Sequence, residues 1–343
     1  MARFQKASEI RVGVIGYGAA FNMGANHLRE MKRAGMVPTS VTDIDKERLK
    51  VAAKDFPGIE TYASASEMLR KSRTNVLAII TPHNTHTKLA IQCLNAGRHV
   101  VSEKPFAITT EECDAMISAE KKKEVMLSTY HNRHWDGIIL GAMKLVRNGT
   151  LGKIVRVEAH MGGWGKPGDW WRGSKSISGG ILYDWGVHVL EYTLQIMNAD
   201  IKEVAGYAWS GVWSSQTKWK NDTVEDDAML VVRYATGATS SLSITSIDSR
   251  PHPGFIKVIG TKATCLINWD ACEVIDRKDG NVVSTRIPNP DGEGWKFYKN
   301  VADHLTKGTQ LVITPEWARR PIHILDLANR SAKSGKALPA KYR

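Results

Sequence analysis

Over the first 130 residues one pattern repeats. A short block of apolar residues ends in glycine or a polar turn, and a stretch with apolar residues at helical spacing follows. Residues 10–16, Ile-Arg-Val-Gly-Val-Ile-Gly, are the first such block. β-Branched residues in a block, rather than in alternation, suit a strand covered on both faces. The next expected elements are a helix over 19–34, a strand over 36–42, a helix over 46–55, a short strand near Glu60 and a helix over 64–71. A strand at 76–80, a helix at 85–96, a strand around Val100, a helix at 109–122 and a strand at 125–129 complete the series. Alternating strand and helix predict a parallel, doubly wound α/β sheet.

The pattern changes after Tyr130. A helix runs to about Asn148, with Gly149 as its stop. Residues 153–160 alternate apolar and polar, the sign of a half-buried strand. Residues 161–180 form a loop rich in Gly and Trp, and a helix is expected from Ile181 to Met197. Strands then dominate, at 201–210, 224–234, 238–246, 255–260, 263–268, 272–276 and 281–286, with a hairpin turning at Thr236-Gly237. This reads as a mostly antiparallel, open-faced sheet with helices on one face, an α+β domain. Helices near 295–307 and 315–333 close the chain. Two domains follow from this reading, 1–130 and 131–343, with the last helix packing back on the first.

Composition narrows the class. A chain of 343 residues has room for two domains. It holds no apolar run of about 18 residues, so no membrane span is expected. Residues 1–9 are polar and lack the apolar core of a signal peptide. Cys93, Cys113, Cys265 and Cys272 are scattered without a CxxC pair, which points to a reducing, cytoplasmic setting with no disulfide framework and no zinc site. The net charge of +12 could suggest nucleic acid, but the basic residues are spread out. The one dense run, Lys121-Lys122-Lys123, lies between Glu120 and Glu124 and reads as a solvated helix end. No nucleic-acid partner is expected.

The candidate chemistry gathers where strands end. Gly16-Tyr17-Gly18 sits between the first strand and its helix, where glycines permit a tight turn and let a pyrophosphate rest on the helix N-terminus. Phe21 occupies the place of the usual third glycine, and Gly24, one turn later, is expected to relieve the packing instead. Asp43 ends the second strand, about 25 residues after Gly18. An acid there would bond a ribose 2′-hydroxyl and repel a 2′-phosphate, favouring NAD over NADP. Asp45 reads as the cap of the helix that begins near Lys46.

Thr81-Pro82-His83-Asn84-Thr85-His86 ends the fourth strand. Its two histidines lack an obvious third metal ligand, so a cofactor-lining or capping role is expected and no metal. Glu103-Lys104-Pro105 ends the fifth. Pro105 restricts the direction of Lys104 and makes a cis peptide accessible there. The competing reading is a surface ion pair. Seven of the eleven tryptophans (164, 170, 171, 185, 209, 213 and 219) crowd the middle of the chain. One or two are expected to touch a substrate and the rest to be core. Asp184 and His188, spaced i, i+4, would share a helix face, and a carboxylate can set the tautomer of an imidazole. The competing reading is an ordinary helix-surface pair.

Together these residues resemble the Gfo/Idh/MocA oxidoreductases, the glucose–fructose oxidoreductase and inositol dehydrogenase group. The likeness is carried by Gly16-Tyr17-Gly18, Asp43, Thr81-Pro82 with His86, residues 96–100, Glu103-Lys104-Pro105, Gly149 to Gly152, Ser178-Gly179-Gly180, Asp184 with His188, and Thr314-Pro315-Glu316. The resemblance implies NAD-dependent hydride transfer from a hydroxyl-bearing carbon of a sugar, polyol or glycoside. It implies catalytic roles for Lys104, His188 and Asp184. Cofactor contacts are implied at Gly16, Gly18, Ala20, Phe21, Asp43, Thr81, Pro82, His86, Glu103, Lys104, Arg133, Trp171 and Arg172. Substrate contacts are implied at Lys104, Tyr130, Arg133, Trp164, Trp171, Asp184 and His188. Two other readings are a redox-neutral enzyme that oxidises a glycoside transiently and a non-catalytic NAD-binding sensor. Relatives of this kind pair through the open sheet face, so a homodimer or homotetramer is the implied assembly.

Overall fold

The structure is a computed structural model, and it describes residues 3–18, 21–251 and 255–342. The chain divides into two compact units, Met1–Asn132 with Trp295–Arg319, and Arg133–Gly294 with Arg320–Arg343.

The first unit is built from β1 (Arg11–Ile15), α1 (Met23–Arg33), β2 (Val37–Thr42), α2 (Lys46–Asp55), β3 (Glu60–Tyr62), α3 (Ala65–Lys71), β4 (Val76–Ile79), α4 (His86–Asn95), β5 (His99–Ser102), α5 (Thr110–Lys123) and β6 (Leu127–Thr129). Its six strands are all parallel, in the order β3-β2-β1-β4-β5-β6. The apolar blocks are the reason. Val12, Val14, Val76, Ile79, Val100 and Val101 have no exposed surface, as strands covered by helices on both faces require. Helix starts are marked by local chemistry. Asp45 accepts the Glu47 N–H at the head of α2, and Thr109 with Glu112 forms a capping box on α5. Lys121, Lys122 and Lys123 form the exposed last turn of α5. The strand order reverses between β1 and β4, so the turns after these strands flank the crevice where doubly wound sheets take ligands.

In the second unit the elements are α6 (Gly137–Arg147), β7 (Ile154–Gly162), α7 (Lys175–Ser178), α8 (Gly186–Met197), β8 (Ile201–Trp209), β9 (Asp227–Tyr234), β10 (Thr239–Thr245), β11 (Ile256–Gly260), β12 (Thr264–Ile267), β13 (Ala271–Lys278) and β14 (Asn281–Pro288). After α9 (Lys296–Lys307) and α10 (Pro315–Ser334), β15 (Leu338–Pro339) adds the last strand. The nine-stranded sheet runs β14-β13-β12-β11-β7-β10-β9-β8-β15. It is antiparallel except where β10 lies parallel to β7. Inward residues of β10, Ser240, Leu242 and Ile244, are buried beneath α8, whereas Met229, Tyr207 and Trp209 on β9 and β8 are exposed.

Three elements differ from expectation. The helix predicted over 19–34 begins at Met23, after Asn22 in a left-handed conformation. The helix predicted from Ile181 is two pieces, a short 3₁₀ turn at Ile181–Tyr183 and then α8. Asp184 therefore precedes α8, although its dihedrals are helical. Trp295–Arg319, read from sequence as part of the second domain, falls in the first unit, because Phe297, Tyr298, Val301 and Leu305 bury one face of α9 against α1 and the turn at Ala7–Glu9. The first turn of α10 counts with the first unit and its remainder with the second. Among the described residues, no helix is long and apolar enough to cross a membrane.

Candidate active site

The turn after β1 is glycine by necessity. Gly16 has φ +89°, and a Cβ there would lie 2.3 Å from the Ile80 carbonyl oxygen, at the end of the neighbouring β4. Both conformation and space exclude a side chain. Gly18 also has positive φ, +76°. Gly24 is the glycine that lets α1 approach: a Cβ there would sit 2.7 Å from the Tyr17 Cα. Phe21 is 56% exposed and plays no such part. Ala20 lies outside the described residues.

Asp43 closes this turn from β2. Its Oδ2 accepts the Tyr17 N–H at 2.7 Å and its Oδ1 accepts the Asp45 N–H at 2.9 Å. A carboxylate has about four acceptor positions, so lone pairs remain for a ribose. The Tyr17 ring is buried and donates its hydroxyl to Asp55 at 2.7 Å.

The ends of β4 and β5 are joined by one histidine. The wholly buried His86 places Nε2 2.9 Å from the Thr81 carbonyl and Nδ1 2.8 Å from the Pro105 carbonyl. Burial pushes its imidazole pKa down, against the pull of the two carbonyls. The Thr81 turn is closed by Thr85, whose hydroxyl lies 2.6 Å from that of Thr81 and 2.6 Å from the Pro82 carbonyl. His83 is buried, its ring centroid 5.8 Å from that of His86. Among the described residues, no three His, Cys, Asp or Glu side chains are placed to hold a metal ion.

Glu103 and Lys104 follow β5, with Lys104-Pro105 in the cis form. Glu103 faces the interior of the first unit. Its Oε2 accepts the Lys104 backbone N–H at 2.9 Å and its Oε1 lies 2.9 Å from His27 Nε2. The far nitrogen of His27, Nδ1, meets the Tyr298 hydroxyl at 2.5 Å. Burial pushes the Glu103 carboxyl up, but the His27 bond and the nearby positive charge of Lys104 outweigh it and hold the group below its ordinary value. Tyr130 sits in this same cluster. Its ring lies 4.2 Å from that of His27 and 5.0 Å from Phe297, and burial first, then Glu103, pushes its phenol pKa up. Sequence reasoning missed His27 and Tyr298. The available signal was a histidine on the apolar face of α1, beside Ala25, Leu28 and Met31.

In the second unit, Arg172 Nη1 donates to Asp184 Oδ2 at 2.8 Å, and its guanidinium lies 5.0 Å from the Trp170 ring and 5.2 Å from the Trp171 ring. Arg133 lies 4.8 Å over the Trp185 ring, and Trp185 meets His188 edge-on at 5.7 Å. Arg133 also donates to Asp136 at 2.8 Å, where the Tyr192 hydroxyl donates at 2.7 Å. His188 is buried on α8. Two charge–aromatic groups result in the second unit, Arg172 with Asp184, Trp170 and Trp171, and Arg133 with Trp185 and His188. Trp164 is 60% exposed and leans edge-on against the buried Trp213 at 5.6 Å.

The loops carrying these groups are tied by buried acids. Asp226 Oδ2 accepts the backbone N–H groups of Gly211 and Val212, both at 2.7 Å. Glu225 accepts the Ile181 N–H at 2.9 Å and pairs with Lys175, and Asp222 accepts the Ser176 N–H at 2.9 Å.

Comparison with known proteins adds the ancestry. The profile described as an oxidoreductase family with an NAD-binding Rossmann fold matches residues 10–131, and that of the Gfo/Idh/MocA C-terminal domain matches residues 139–266. The chain is 23% identical to scyllo-inositol 2-dehydrogenase (NADP(+)) IolW of Bacillus subtilis (strain 168), over 98% of both chains. It is 30% identical to the myo-inositol 2-dehydrogenase of Thermotoga maritima, over 74% of this chain and 73% of that one. Among solved structures, the oxidoreductase YvaA of Bacillus subtilis matches with a TM-score of 0.85 at 23% identity, covering 99% of this chain and 100% of that one.

Proposed function

The chain belongs to the Gfo/Idh/MocA oxidoreductase family, NAD(P)-dependent enzymes acting on sugar and polyol hydroxyls, and from that premise we propose that it oxidises one hydroxyl of a cyclic polyol or sugar with NAD, using Lys104 at the reacting oxygen. The observation that carries this reading lies in the first unit. The glycine turn after β1 and Lys104 after β5 stand at the same, carboxyl-terminal edge of one parallel sheet. The reversal of strand order between β1 and β4 supports a ligand crevice beside these turns.

The residues present fit a dinucleotide. Gly16 and Gly18 leave the backbone open at the head of α1, where a pyrophosphate can meet the helix N-terminus, and Asp43 keeps acceptor capacity for ribose hydroxyls. When bound, the nicotinamide supplies the hydride acceptor. The protein's own part is proton management. Lys104 donates a hydrogen bond to the substrate hydroxyl and stabilises the developing alkoxide, and His188 takes the proton as general base. Asp184, paired with Arg172 at 2.8 Å, orients His188. Asp43 is the reason to favour NAD, since a carboxylate there repels a 2′-phosphate. The four cysteines, buried as thiols, support a reducing cytoplasmic setting, and the exposed face of the nine-stranded sheet supports a homodimer or homotetramer.

The test is nicotinamide reduction followed by absorbance, across inositols, aldoses and other cyclic polyols, with NAD and NADP in parallel. One substrate class reduced with NAD at higher kcat/KM than with NADP is the expected result. Lys104→Ala is expected to lower kcat/KM by about 1,000-fold. Wild-type turnover in that variant would overturn the assignment of Lys104.

A further inference from the structure

We propose that His27 and Tyr298 are positioning residues that hold Lys104 through Glu103; the role rests on Lys104 acting at the reacting hydroxyl. Three separated elements meet here: α1, the turn after β5, and α9. Tyr298 and His27 have no exposed side-chain surface to speak of, and the Glu103 side chain is 13% exposed. With His27 neutral, one placement of protons satisfies every atom in the series. The Tyr298 hydroxyl donates to His27 Nδ1, His27 Nε2–H donates to Glu103 Oε1, and the Lys104 backbone N–H donates to Glu103 Oε2. The opposite tautomer would turn an imidazole lone pair toward the carboxylate. The tautomer is thus assigned by the network.

Packing alone does not call for this arrangement. Burying a carboxylate is costly unless it is paired, and an apolar trio of similar volume would fill the space with less penalty. What the charged series adds is direction. Each of the three contacts on Glu103 and His27 has a fixed donor and acceptor, so rotation of either side chain breaks two bonds at once. The fixed carboxylate then fixes the backbone N–H of Lys104, and with it the origin of the lysine side chain. α1 is the helix whose head follows the glycine turn. A shift of α1 therefore carries His27, Glu103 and Lys104 with it, which keeps the lysine in register with whatever the glycine turn holds. Tyr130 and Phe297 wall the series off from solvent.

Three substitutions at one site separate positioning from filling. His27→Gln puts an amide N–H near the place of Nε2 and keeps a donor to Glu103. His27→Asn puts its amide near Nδ1 and loses that donor, and His27→Leu keeps bulk without polarity. Positioning predicts kcat of the Gln variant within about 5-fold of wild type, and of the Asn and Leu variants lower by about 100-fold. The NADH dissociation constant, followed by tryptophan fluorescence, is expected to stay within about 3-fold in all three, because misplacement of Lys104 acts on the transition state rather than on cofactor binding. A readout independent of turnover is the ¹³C-methyl signal of reductively methylated Lys104, identified by its loss in Lys104→Ala. It is expected to be shared by wild type and His27→Gln and displaced in His27→Leu.

Should His27→Leu fail to fold, Tyr298→Phe removes a single hydroxyl and is expected to lower kcat by about 10-fold. Equal kcat and equal Lys104 signals across the Gln, Asn and Leu variants would overturn the proposal, as would wild-type kcat in Tyr298→Phe. If instead Lys104→Ala turns over normally, it is the underlying assignment of Lys104 that fails.

Discussion

The turn after β1 and the loops of the second unit are held in place by different means. The turn after β1 is set by glycines at positive φ, packed against the end of β4, with Asp43 at the end of the adjacent strand. In the second unit, the loops between β7 and α8 and between β8 and β9 are pinned by buried acids reaching across sequence. Asp226 holds Gly211 and Val212, Glu225 holds Ile181 across 44 positions, and Asp222 holds Ser174 and Ser176 across 48 and 46. The difference is one of rigidity and of evolvability. A turn that tolerates only glycine cannot vary, whereas loops tied by carboxylate-to-backbone bonds leave their side chains free to vary.

The sharpest way to break this comparison is Gly16→Ala. A Cβ at 2.3 Å from a carbonyl oxygen, on a residue with φ +89°, forces the turn off β4. We expect a loss of at least about 100-fold in NADH affinity and about 3 kcal/mol of stability. A fluorescence titration and a denaturant melt check both. Normal NADH affinity would mean that the turn is not where the cofactor rests.

That prediction also marks where the sequence was legible. The glycine turn, Gly24 in place of Phe21, the cap at Asp45, the parallel sheet and the succession of later strands were readable, because each depends on residues within a turn or a strand of one another. His27 was not. Its partners are 76 and 271 positions away, and a histidine on an apolar helix face carries no sign of what it meets. The break between Ile181–Tyr183 and α8 falls at Asp184 and Trp185, both of which keep helical dihedrals, so no residue there signals a stop. Trp295–Arg319 was assigned by position in the chain, whereas packing of α9 on α1 decides the matter. Tyr130, to which the resemblance gave a substrate contact, packs with His27, Phe297 and Tyr298.

A middle-sized effect sharpens the second half of the comparison. Asp226→Asn keeps the volume but removes the charge that the Gly211 and Val212 N–H groups share at Oδ2, both at 2.7 Å, and its amide, in the place of Oδ1, faces the Trp213 N–H. Charge-assisted bonds to a buried acid are worth more than neutral ones, so a loss of about 2–3 kcal/mol is expected. Hydrogen exchange should quicken across 209–226, while NADH affinity changes less than in Gly16→Ala. Unchanged exchange in that segment would remove the acid's claim to hold the loop.

The smallest effect tests whether the first unit's order depends on uncharged imidazoles. His99 begins β5, and its Nδ1 accepts the Met126 N–H at 2.8 Å, a bond only the unprotonated nitrogen can make. Burial, helped by the charges of Arg3 and His304, pushes its pKa down from 6.5 to about 4. The unfolded chain therefore takes up this proton more readily than the folded one. The stability due to neutral His99 is whole above the unfolded value and is lost as pH falls from 6.5 toward about 4. Between pH 6.5 and about 5.5 the expected loss is about 1 kcal/mol. His86, also pushed down by burial, adds to the slope in the same sense. His99→Asn isolates the first term, since an amide oxygen can replace Nδ1 as acceptor and does not titrate. Denaturant midpoints across this range should fall more steeply for wild type than for His99→Asn. Parallel slopes would mean that His99 takes up its proton as readily in the folded chain as in the unfolded one, and that the Met126 bond does not order the start of β5.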